Sequence, residues 1–501
     1  MILTPQQIAD YAQADIVVAP RDAECCACAI TWDSREVQSG YAYVALPGER
    51  VDGHSFVGDA LRAGACVALV MQQPDEATCA LARDKGAALL KVDSTHKAFI
   101  DIARGWRRHL KGKVIALTGS TGKTTTKNLV RDVLATTYSV VATQANQNNE
   151  LGVPRTLLAA DPTTEVVVLE IGMRGLGQIA ELCGVVCPDA GLITNVGESH
   201  IELLGSRENI ARAKAELLCA LPASAGSAFL NGADDMSDFM LKDSQWESSH
   251  GESICFDGTG NYNDRLSETD WRYRSAVWAR DISLDEQGRA RFTLCYRGFS
   301  HDAASGAGDN TPEVLQCACQ LTLRGRHNVE NACAAAAVGL YMGCDIADIV
   351  TALEGSAPES GRQEIWSAPG GFTVMNDAYN ANPDSMRASL ITFCALSISG
   401  RRYAVLGDMG ELGDYAQASH EAVGSLVATL PLDIVITVGE LARFIACAAQ
   451  DAGYPSSQIV VCQTREEALA YLKEHLLADD AVLVKASHFM ELDRIAKGLL
   501  N

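Results

Sequence analysis

A glycine-rich turn between an apolar run and a helix-like segment is the feature that most limits the possible folds of this chain. It lies within residues 114–127, which read VIALTGSTGKTTTK. Gly119 and Gly122 let the backbone turn tightly, so that its N–H groups can converge on phosphate oxygens at a helix N-terminus. Lys123 can reach the terminal phosphates, and the hydroxyl of Thr124 can bind the accompanying Mg²⁺. The segment therefore predicts a phosphate-binding loop in an α/β sheet.

The spacing of this loop departs from its common form. Only Ser120 and Thr121 separate the glycines, whereas the GxxxxGK[ST] form has a longer gap. The alternative interpretation is an ordinary strand–turn–helix with a solvated lysine. The Lys-Thr pair ahead of the amphipathic KNLVRDVL favours the nucleotide site. The residues expected to contact the nucleotide here are Gly119, Ser120, Thr121, Gly122, Lys123, Thr124 and Thr125.

Length and charge limit the kind of partner that the chain can bind. A chain of 501 residues should hold about three domains, at roughly 150 residues each. A net charge of −22 argues against a surface that binds nucleic acid. An acidic protein that handles phosphates must instead rely on local glycine loops, a few Lys and Arg side chains, and Mg²⁺.

The cysteines and the apolar runs indicate a reducing compartment. Seventeen cysteines are present, but they lie mostly in apolar runs of a long chain, as Cys66 and Cys447 do. Cys25 and Cys28 form a CxxC without a second pair at zinc-finger spacing, so a metal or redox role is disfavoured. No signal peptide and no long apolar span is visible, and we therefore expect a cytoplasmic protein without stable membrane insertion.

Strands and helices alternate along most of the chain, which predicts an α/β fold. Val166–Glu170 and residues 190–194 are unbroken apolar runs, typical of parallel strands that are buried on both faces. The polar, turn-rich stretch at 241–313 predicts a small β subdomain with a mobile loop at 303–313. Residues 356–361 read as a linker. The expected domains are residues 1–112, 113–357 and 358–501.

Polar residues cluster where the predicted strands end. They include Glu170 and His200 in the central domain, and Asp377 and Lys485 in the C-terminal domain. In doubly wound sheets, ligands bind beyond the carboxyl ends of the strands, so this distribution predicts one site between two facing α/β domains. Each residue has a plainer alternative: Glu170 could cap a helix, and His200 could be an ordinary loop histidine. A carboxylate beside the Mg²⁺ of a nucleotide is chemically reasonable, because hard cations prefer oxygen ligands.

Lys214 cannot be assigned from first principles. It lies in the helix-like RENIARAKAELL, where a solvated lysine that pairs with nearby glutamates is the simplest interpretation.

The whole chain resembles the Mur ligases, the ATP-dependent amide-forming family of peptidoglycan synthesis. TGSTGKTTT resembles the phosphate loop of the family, although Ser-Thr stands where Thr-Asn is common, and ITNVGESHIELLGSRENIARAKAEL resembles its metal segment. The resemblance implies that Lys214 is carbamylated and holds a second Mg²⁺ together with His200, while Thr124 and Glu170 hold the first. A carbamate suits this role, since it carries negative charge and oxygen ligands, whereas an ammonium would be repelled.

Further segments of the resemblance concern the nucleotide. GRHNVENACAAAA resembles the adenine-contacting segment, so Asn328 is implied as an adenine contact. Gly361-Arg362 resembles the position from which an arginine reaches across to the γ-phosphate, and Asp377 is implied as a further nucleotide contact. The implied fold has a central P-loop doubly wound sheet with the small β subdomain, preceded by a UDP-substrate-binding domain and followed by a Rossmann-like domain that binds the incoming dipeptide.

Two stretches narrow the resemblance within the family. DSREVQSGYAYVALPGERVDGH resembles the UDP-binding domain of the last two ligases of the pathway, so Ser34 and Arg35 are implied substrate contacts. NDAYNANPDSM and LGDMGELG resemble the ligase of the final step, and the DNPR signature of the preceding step is missing. Asn380, Asn382 and Lys485 are implied to face the incoming substrate, the plainer alternative for the two asparagines being turn residues before Pro383.

One motif departs from the family pattern. Lys485-Ala-Ser-His488 stands where the family usually reads Lys-Gly-Ser-Arg, which leaves any contact from position 488 to the acceptor open.

The implied activity joins D-alanyl-D-alanine to UDP-N-acetylmuramoyl-tripeptide, with ATP and two Mg²⁺ ions, through an acyl phosphate. Catalysis would be alignment and charge neutralisation by Lys123, His200, Lys214 and Arg362, in a monomer that closes on its substrates. The alternatives are a Mur-type ligase that adds a single amino acid, a folate polyglutamylating enzyme, a GTPase switch and a catalytically silent scaffold. A GTPase is disfavoured because no NKxD guanine motif is present. The third residue of the tripeptide, diaminopimelate or lysine, is not decided by the sequence.

Overall fold

The computed structural model describes residues 1–48, 51–246, 251–262, 275–299 and 314–500. Within these ranges the strands form three sheets, of five, nine and six strands. The loop predicted at 303–313 lies outside the described residues. None of the helices in these ranges is both long and apolar enough to cross a membrane.

The N-terminal sheet is parallel except for its first strand. Its order is β1-β5-β4-β3-β2, with β1 antiparallel to β5. The strands are β1 (Asp15–Val18), β2 (Ala29–Thr31), β3 (Tyr41–Val44), β4 (Val67–Val70) and β5 (Ala88–Lys91). The helices are α1 (Pro5–Ala12), α2 (Val57–Ala63), α3 (Glu76–Lys85) and α4 (Thr95–Arg107).

Helix α4 joins this first sheet to the rest of the molecule. The indole Nε1 of Trp106, which is buried, donates to the carbonyl of Ala160 at 3.0 Å. Arg107 pairs with Asp189 at 3.0 Å, and the same carboxylate accepts from the backbone N–H of Val114 at 2.8 Å. The basic segment before the phosphate loop therefore anchors the N-terminal sheet to the central one.

The central sheet has the order β14-β13-β12-β11-β10-β9-β6-β8-β7. From β7 to β12 neighbouring strands are parallel, and β13 and β14 add an antiparallel edge. The predicted small β subdomain therefore continues the central sheet. The strands are β6 (Lys113–Thr118), β7 (Val140–Ala142), β8 (Val166–Glu170), β9 (Ala190–Ile193), β10 (Ser227–Asn231), β11 (Glu252–Asp257), β12 (Ser275–Leu284), β13 (Arg289–Arg297) and β14 (Leu315–Arg324).

Helices cover both faces of this sheet. The helices are α5 (Lys123–Leu134), α6 (Gly152–Ala159), α7 (Gln178–Val186), α8 (Ile201–Leu204), α9 (Arg207–Cys219), α10 (Ser237–Asp243), α11 (His327–Met342) and α12 (Ile346–Gly355). Small side chains let α11 approach α5 closely: a Cβ added at Gly339 would lie 2.5 Å from Val133 Cγ1. This contact lies near the C-terminal end of α5; nearer its start, the hydroxyl of Thr126 donates to Asn331 Oδ1 of α11 at 3.0 Å.

The C-terminal sheet has the order β15-β16-β20-β17-β18-β19, and only β15 is antiparallel to its neighbour. The strands are β15 (Glu364–Ser367), β16 (Thr373–Asn376), β17 (Arg402–Gly407), β18 (Ile434–Val438), β19 (Ile459–Cys462) and β20 (Ala481–Lys485). The helices are α13 (Pro383–Cys394), α14 (Ala416–Val427), α15 (Ala442–Asp451), α16 (Arg465–His475) and α17 (Asp493–Gly498).

The three-sheet α/β architecture agrees with the predicted fold class. The carboxyl ends of β6, β8 and β9 in the central sheet, and those of β16, β17 and β20 in the C-terminal sheet, supply residues to one cleft. This arrangement follows from the rule that the loops after parallel strands emerge at the same edge of a sheet.

Candidate active site

A cleft of about 1370 Å³ lies between the central and C-terminal sheets. Most of the residues that the sequence singled out line it together. They are the loop residues 119–125, Glu170, His200, Lys214, Asn328, Arg362, Asp377, Asn380, Asn382 and Lys485. Ser34 and Arg35 are not among the lining residues. Arg35 is exposed and pairs with its neighbour Asp33 at 2.6 Å, and the N-terminal side of the cleft is formed by α4 and its cap instead.

The phosphate loop is held from behind by the segment after β9. Asn195 Oδ1 accepts from the N–H of Thr121 at 2.9 Å, and the Asn195 carbonyl accepts from the N–H of Ser120 at 3.0 Å. The hydroxyl of Thr194 donates to the carbonyl of Thr121 at 2.7 Å. By contrast, the backbone N–H groups of residues 122–125 donate to no residue in the described ranges. These four groups at the start of α5 form a site suited to an anion.

Lys123 is folded over this loop. Its Nζ donates to the carbonyl of Gly119 at 2.6 Å. Burial lowers the pKa of Lys123, with the Glu170 carboxylate opposing the shift and the Arg362 guanidinium adding to it. The Lys123 ammonium therefore lies near the Glu170 carboxylate and the Arg362 guanidinium, both of which were predicted to lie beside the phosphates.

Glu170 ends β8 with an unused carboxylate oxygen. The side chain is 2% exposed, and its Oε1 accepts from Asn148 Nδ2 at 2.8 Å. Its Oε2 is buried and has no hydrogen-bond partner among the described residues. Glu170 does not cap the following helix, because Glu216 accepts from the N–H groups of Gly177 and Ala180 at the start of α7. An orphaned carboxylate oxygen costs free energy in a protein interior, which makes a cation ligand the natural role for it.

Thr124 of the central domain contacts a residue of the C-terminal domain. Its hydroxyl is buried and accepts from Arg362 Nη2 at 2.9 Å. The Arg362 guanidinium also lies 4.1 Å from the centroid of the Tyr379 ring, a cation–π contact. Beside it, Asn128 Nδ2 donates to Glu359 Oε2 at 2.7 Å. Arg362 therefore reaches from the C-terminal sheet to the phosphate loop.

Lys214 is buried inside the cleft wall on α9, with 1% of its surface exposed. Burial holds the pKa of Lys214 well below its ordinary value; the nearby charge of Lys123 lowers it further, and Asp234 opposes the shift. Within the described ranges no carboxylate lies within 4.0 Å of its Nζ. The interpretation as a solvated helix lysine paired with glutamates is therefore wrong.

His200 lies against a residue of the C-terminal domain. Its Nδ1 is 2.5 Å from Glu411 Oε2, and the other oxygen of Glu411 accepts from Arg174 Nη2 at 2.6 Å. Although the angle at Nδ1 departs from that of a hydrogen bond, the short separation makes Glu411 the partner of this ring nitrogen. The contacts with His200 and Arg174 lower the pKa of Glu411 to about 2.

Lys485 and Asp377 form a buried ion pair at the end of β20. The Lys485 Nζ lies 2.7 Å from Asp377 Oδ2 and donates to the carbonyl of Asn380 at 3.1 Å. Lys485 is 2% exposed, so in this structure its charge holds the loop after β16. Asn380 is exposed at the tip of that loop and faces the cleft.

Asn382 is the N-cap of α13. Its Oδ1 accepts from the N–H of Ser385 at 2.8 Å, and Ser385 closes a capping box with it. Its Nδ2 donates across the cleft to Ser199 Oγ at 2.5 Å. The plainer interpretation, a turn residue before Pro383, accounts for the side-chain oxygen of Asn382. It does not account for the side-chain nitrogen, which links the two domains.

Asn328 and several unpredicted residues complete the lining. Asn328 donates to the carbonyl of Arg324 at 2.6 Å and accepts from Asn331 Nδ2 at 2.8 Å. Sequence reasoning missed Asn148, Tyr379 and Glu411. Glu411 lies in the motif LGDMGELG. This motif resembles that of the final-step ligase, but the resemblance assigns no role to any of its residues. Nothing in the spacing shows that its carboxylate reaches another domain.

Three family models match successive parts of the chain. They are the Mur ligase family catalytic domain at residues 28–107, the Mur ligase middle domain at 117–339, and the Mur ligase glutamate ligase domain at 361–488. A UDP-N-acetylmuramoyl-tripeptide–D-alanyl-D-alanine ligase of Bacillus subtilis is 34% identical over 475 residues, covering 94% of this chain and 93% of the relative.

Solved structures give the same relationship. A crystal structure of MurF from Acinetobacter baumannii superposes with a TM-score of 0.80 at 29% identity and covers 100% of this chain and 99% of that chain. MurF ligase from Thermotoga maritima in complex with ADP has a TM-score of 0.71 at 25% identity, over 94% and 96% of the two chains. On the matches to all three domains and to these relatives, the chain belongs to the Mur ligase family.

Proposed function

We propose that the chain is the ATP-dependent ligase that joins D-alanyl-D-alanine to UDP-N-acetylmuramoyl-tripeptide, the activity for which its B. subtilis relative is named. The observation that carries the proposal is the contact between Arg362 and Thr124, at 2.9 Å. It brings a cation of the C-terminal domain onto the phosphate loop, in the cleft that also contains Glu170 and Lys214. Such a site can activate one substrate with a nucleotide while a second domain presents the other.

ATP is the nucleotide that this site supports. The N–H groups of residues 122–125, which donate to nothing within the described ranges, and the ammonium of Lys123 suit the phosphates, and the T. maritima relative was solved with ADP. Asn328 lies in the same cleft and is proposed to contact the adenine. The proposed phosphate contacts otherwise follow the prediction, residues 119–125 with Arg362, and Asp377 remains a proposed nucleotide contact.

The residues present fit Mg²⁺. Glu170 offers a buried oxygen that has no hydrogen-bond partner among the described residues, Thr124 offers a buried hydroxyl, and both are hard oxygen ligands. Lys214 and His200 are proposed for a second ion, with Lys214 as a carbamate; a buried amine with a lowered pKa is the neutral form that reacts with CO₂. Bound Mg²⁺ would neutralise the charge that accumulates on the transferring phosphoryl group.

The reaction proposed has two steps. The terminal carboxylate of the tripeptide attacks the γ-phosphorus of ATP, so that a carboxyl–phosphate bond forms as the bond to ADP breaks. The amine of the dipeptide then attacks the activated carbonyl, loses a proton, and expels phosphate. Lys123 and Arg362 would stabilise the charge on the phosphoryl group, and the two facing sheets would hold the reacting groups in line.

The finer parts of the proposal rest on the family resemblance. They are domain boundaries at 112/113 and 357/358, a monomeric state, cytoplasmic localisation, and substrate contacts at Ser34, Arg35, Asn380, Asn382 and Lys485. Ser34 and Arg35 lie outside the cleft lining. They could therefore contact only a part of a long substrate that extends beyond the cleft.

A coupled assay of phosphate release tests the proposed function. Purified protein is given ATP, Mg²⁺ and the UDP-N-acetylmuramoyl-tripeptide that carries either diaminopimelate or lysine, with and without D-Ala-D-Ala. We expect dipeptide-dependent phosphate release with one of the two tripeptides. A panel that includes a folate substrate and single amino acids as acceptors separates the alternatives. No release with either tripeptide would contradict the proposal.

A further inference from the structure

Glu411 is built rigidly into the loop that follows β17. Its backbone has φ +59°, a left-handed conformation that non-glycine residues adopt at a cost. In the two residues before it, the N–H of Met409 donates to His420 Nε2 at 3.0 Å, and the N–H of Gly410 donates to Ser487 Oγ at 2.9 Å. The loop therefore holds the Glu411 carboxylate in one direction, out of its own domain.

Both oxygens of this carboxylate meet side chains of the central domain. Oε1 accepts from Arg174 Nη2 at 2.6 Å, and Oε2 lies 2.5 Å from His200 Nδ1. The backbone carbonyl of Glu411 also accepts from the N–H of Glu202, beside His200, at 3.4 Å. The contact is thus more than a single surface ion pair.

The other ring nitrogen of His200 remains available. His200 lines the cleft. Its contact with Glu411 is made by Nδ1, at 2.5 Å, outside the angle of a regular hydrogen bond, and no contact of its Nε2 with another side chain is found in the described part of the chain. Histidines that bind metals almost always give their second ring nitrogen to a carboxylate or carbonyl, which fixes the tautomer and the orientation of the ring.

We propose that Glu411 is a positioning residue for His200. By occupying Nδ1 it fixes the ring and leaves Nε2 for the second divalent cation. This inference rests on the proposed function, in which His200 holds that cation. Because Glu411 belongs to the C-terminal domain, the cation site is complete only when the two domains meet. Domain closure and binding of the second cation would then favour each other.

Binding of Mn²⁺, counted by electron paramagnetic resonance in the presence of a non-hydrolysable ATP analogue, tests this inference. For Glu411→Gln we expect the second Mn²⁺ to bind about 10- to 100-fold more weakly, the usual cost of losing such a partner. The first Mn²⁺, and binding of the analogue without metal, should change little. Arg174→Ala is the matched control, since it removes the other half of the same interdomain contact and leaves the His200 contact in place.

The outcomes separate this inference from the proposed function. Wild-type affinity for the second Mn²⁺ in Glu411→Gln, or an equal loss in Arg174→Ala, would overturn the positioning role. A wild-type protein that binds only one Mn²⁺ would overturn it as well, and the phosphate-release assay would still report ligation independently. Loss of nucleotide binding in Glu411→Gln without metal would show that the residue only supports the fold, and would likewise overturn the proposal.

Discussion

Three buried lysines of this chain have different surroundings, and the difference indicates which of them is chemically unusual. Lys127 donates to the carbonyl of Thr143 at 2.7 Å, and Lys485 pairs with Asp377. Lys214 has no carboxylate within ion-pair distance in the described ranges and a pKa that burial holds well below its ordinary value. A buried ammonium without a partner is costly, so modification of Lys214 to a carbamate would resolve the cost.

Lys214→Ala and Lys214→Arg should therefore both lose most ligase activity, because neither can form the carbamate. Changes at exposed residues such as Lys111 usually alter stability by no more than roughly 0.5 kcal/mol, so Lys111→Ala is the control. The direct measurement is a carbamate signal in ¹³C NMR after incubation with ¹³C-bicarbonate. Wild-type activity in Lys214→Arg, or no signal in the wild-type protein, would refute the modification.

Lys123 provides a second prediction at this scale. Lys123→Ala should keep the fold but lower kcat by at least ~10²-fold, the loss typical of one preorganised charge-stabilising group. Steady-state kinetics with a circular-dichroism melt as the fold control would measure it. If the variant retained more than half of the wild-type rate, the phosphate-loop assignment would be wrong.

Functional residues could be predicted from the sequence where their role follows from their local position in the chain. Glu170 and Lys123 could be proposed because a strand end and a glycine-rich turn are visible locally. Asn148, Tyr379 and Glu411 could not, since their roles come from contacts that form only in the folded chain: Glu411 with Arg174 and Tyr379 with Arg362. The burial of Lys214 was also invisible, because its helix alternates charged and apolar residues.

The loop–helix unit of β6 and α5 depends on one glycine. Gly122 has φ +76°, and a Cβ added there would lie 2.5 Å from the Oδ1 of Asn331 on α11. That oxygen accepts from the hydroxyl of Thr126 at 3.0 Å, so it has no freedom to move away. Both the conformation and the space therefore require glycine at this position.

Gly122→Ala should destabilise the protein and abolish nucleotide binding. The left-handed conformation alone costs a residue with a Cβ about 1–2 kcal/mol, and the contact with Asn331 adds to it. Gly177→Ala is the matched control, because Gly177 has φ +86° with nothing within 4 Å of the added Cβ. Thermal melts and ADP titration should show a larger loss for Gly122→Ala; equal losses would mean that the contact with Asn331 is unimportant.

At the level of elements, periodicity was a good guide to strands and a poor one to their pairing. Val166–Glu170 was predicted with the bounds that the structure has, and the apolar run at 190–194 contains β9 (Ala190–Ile193). The stretch 241–313 was expected to form a small β subdomain, but its strands β11, β12 and β13 continue the central sheet. Alternation of apolar residues shows that a strand has two unlike faces, and it does not show which neighbour the strand pairs with.

Across the whole molecule, the central and C-terminal domains meet through polar contacts at the cleft. Arg362 binds Thr124, Asn382 binds Ser199, and Glu411 binds His200 and Arg174. Three domains and a site between two of them could be predicted from the alternation of elements, whereas the contacts that close the site required the structure.

Arg362→Lys should impair the reaction more than the fold. Lysine keeps the charge, but it cannot make the planar, bidentate contact with a phosphate or stack as a guanidinium does on Tyr379. We expect a lower kcat with an unchanged melting temperature. Arg62→Lys, at an exposed ion pair in α2, is the control. Unchanged kinetics in Arg362→Lys would mean that this arginine only joins the two domains.

The choice of acceptor distinguishes a ligase that adds a dipeptide from one that adds a single amino acid. A closed site built for a dipeptide leaves buried polar groups unpaired when the second residue is missing, and such groups are costly. Steady-state kcat/KM should therefore be measured with D-Ala-D-Ala, D-Ala and L-Ala-L-Ala, at fixed ATP and UDP-N-acetylmuramoyl-tripeptide. We expect D-Ala-D-Ala to be preferred by roughly 10- to 100-fold. A comparable kcat/KM with D-Ala alone would contradict it, and would make the chain a Mur-type ligase that adds a single amino acid.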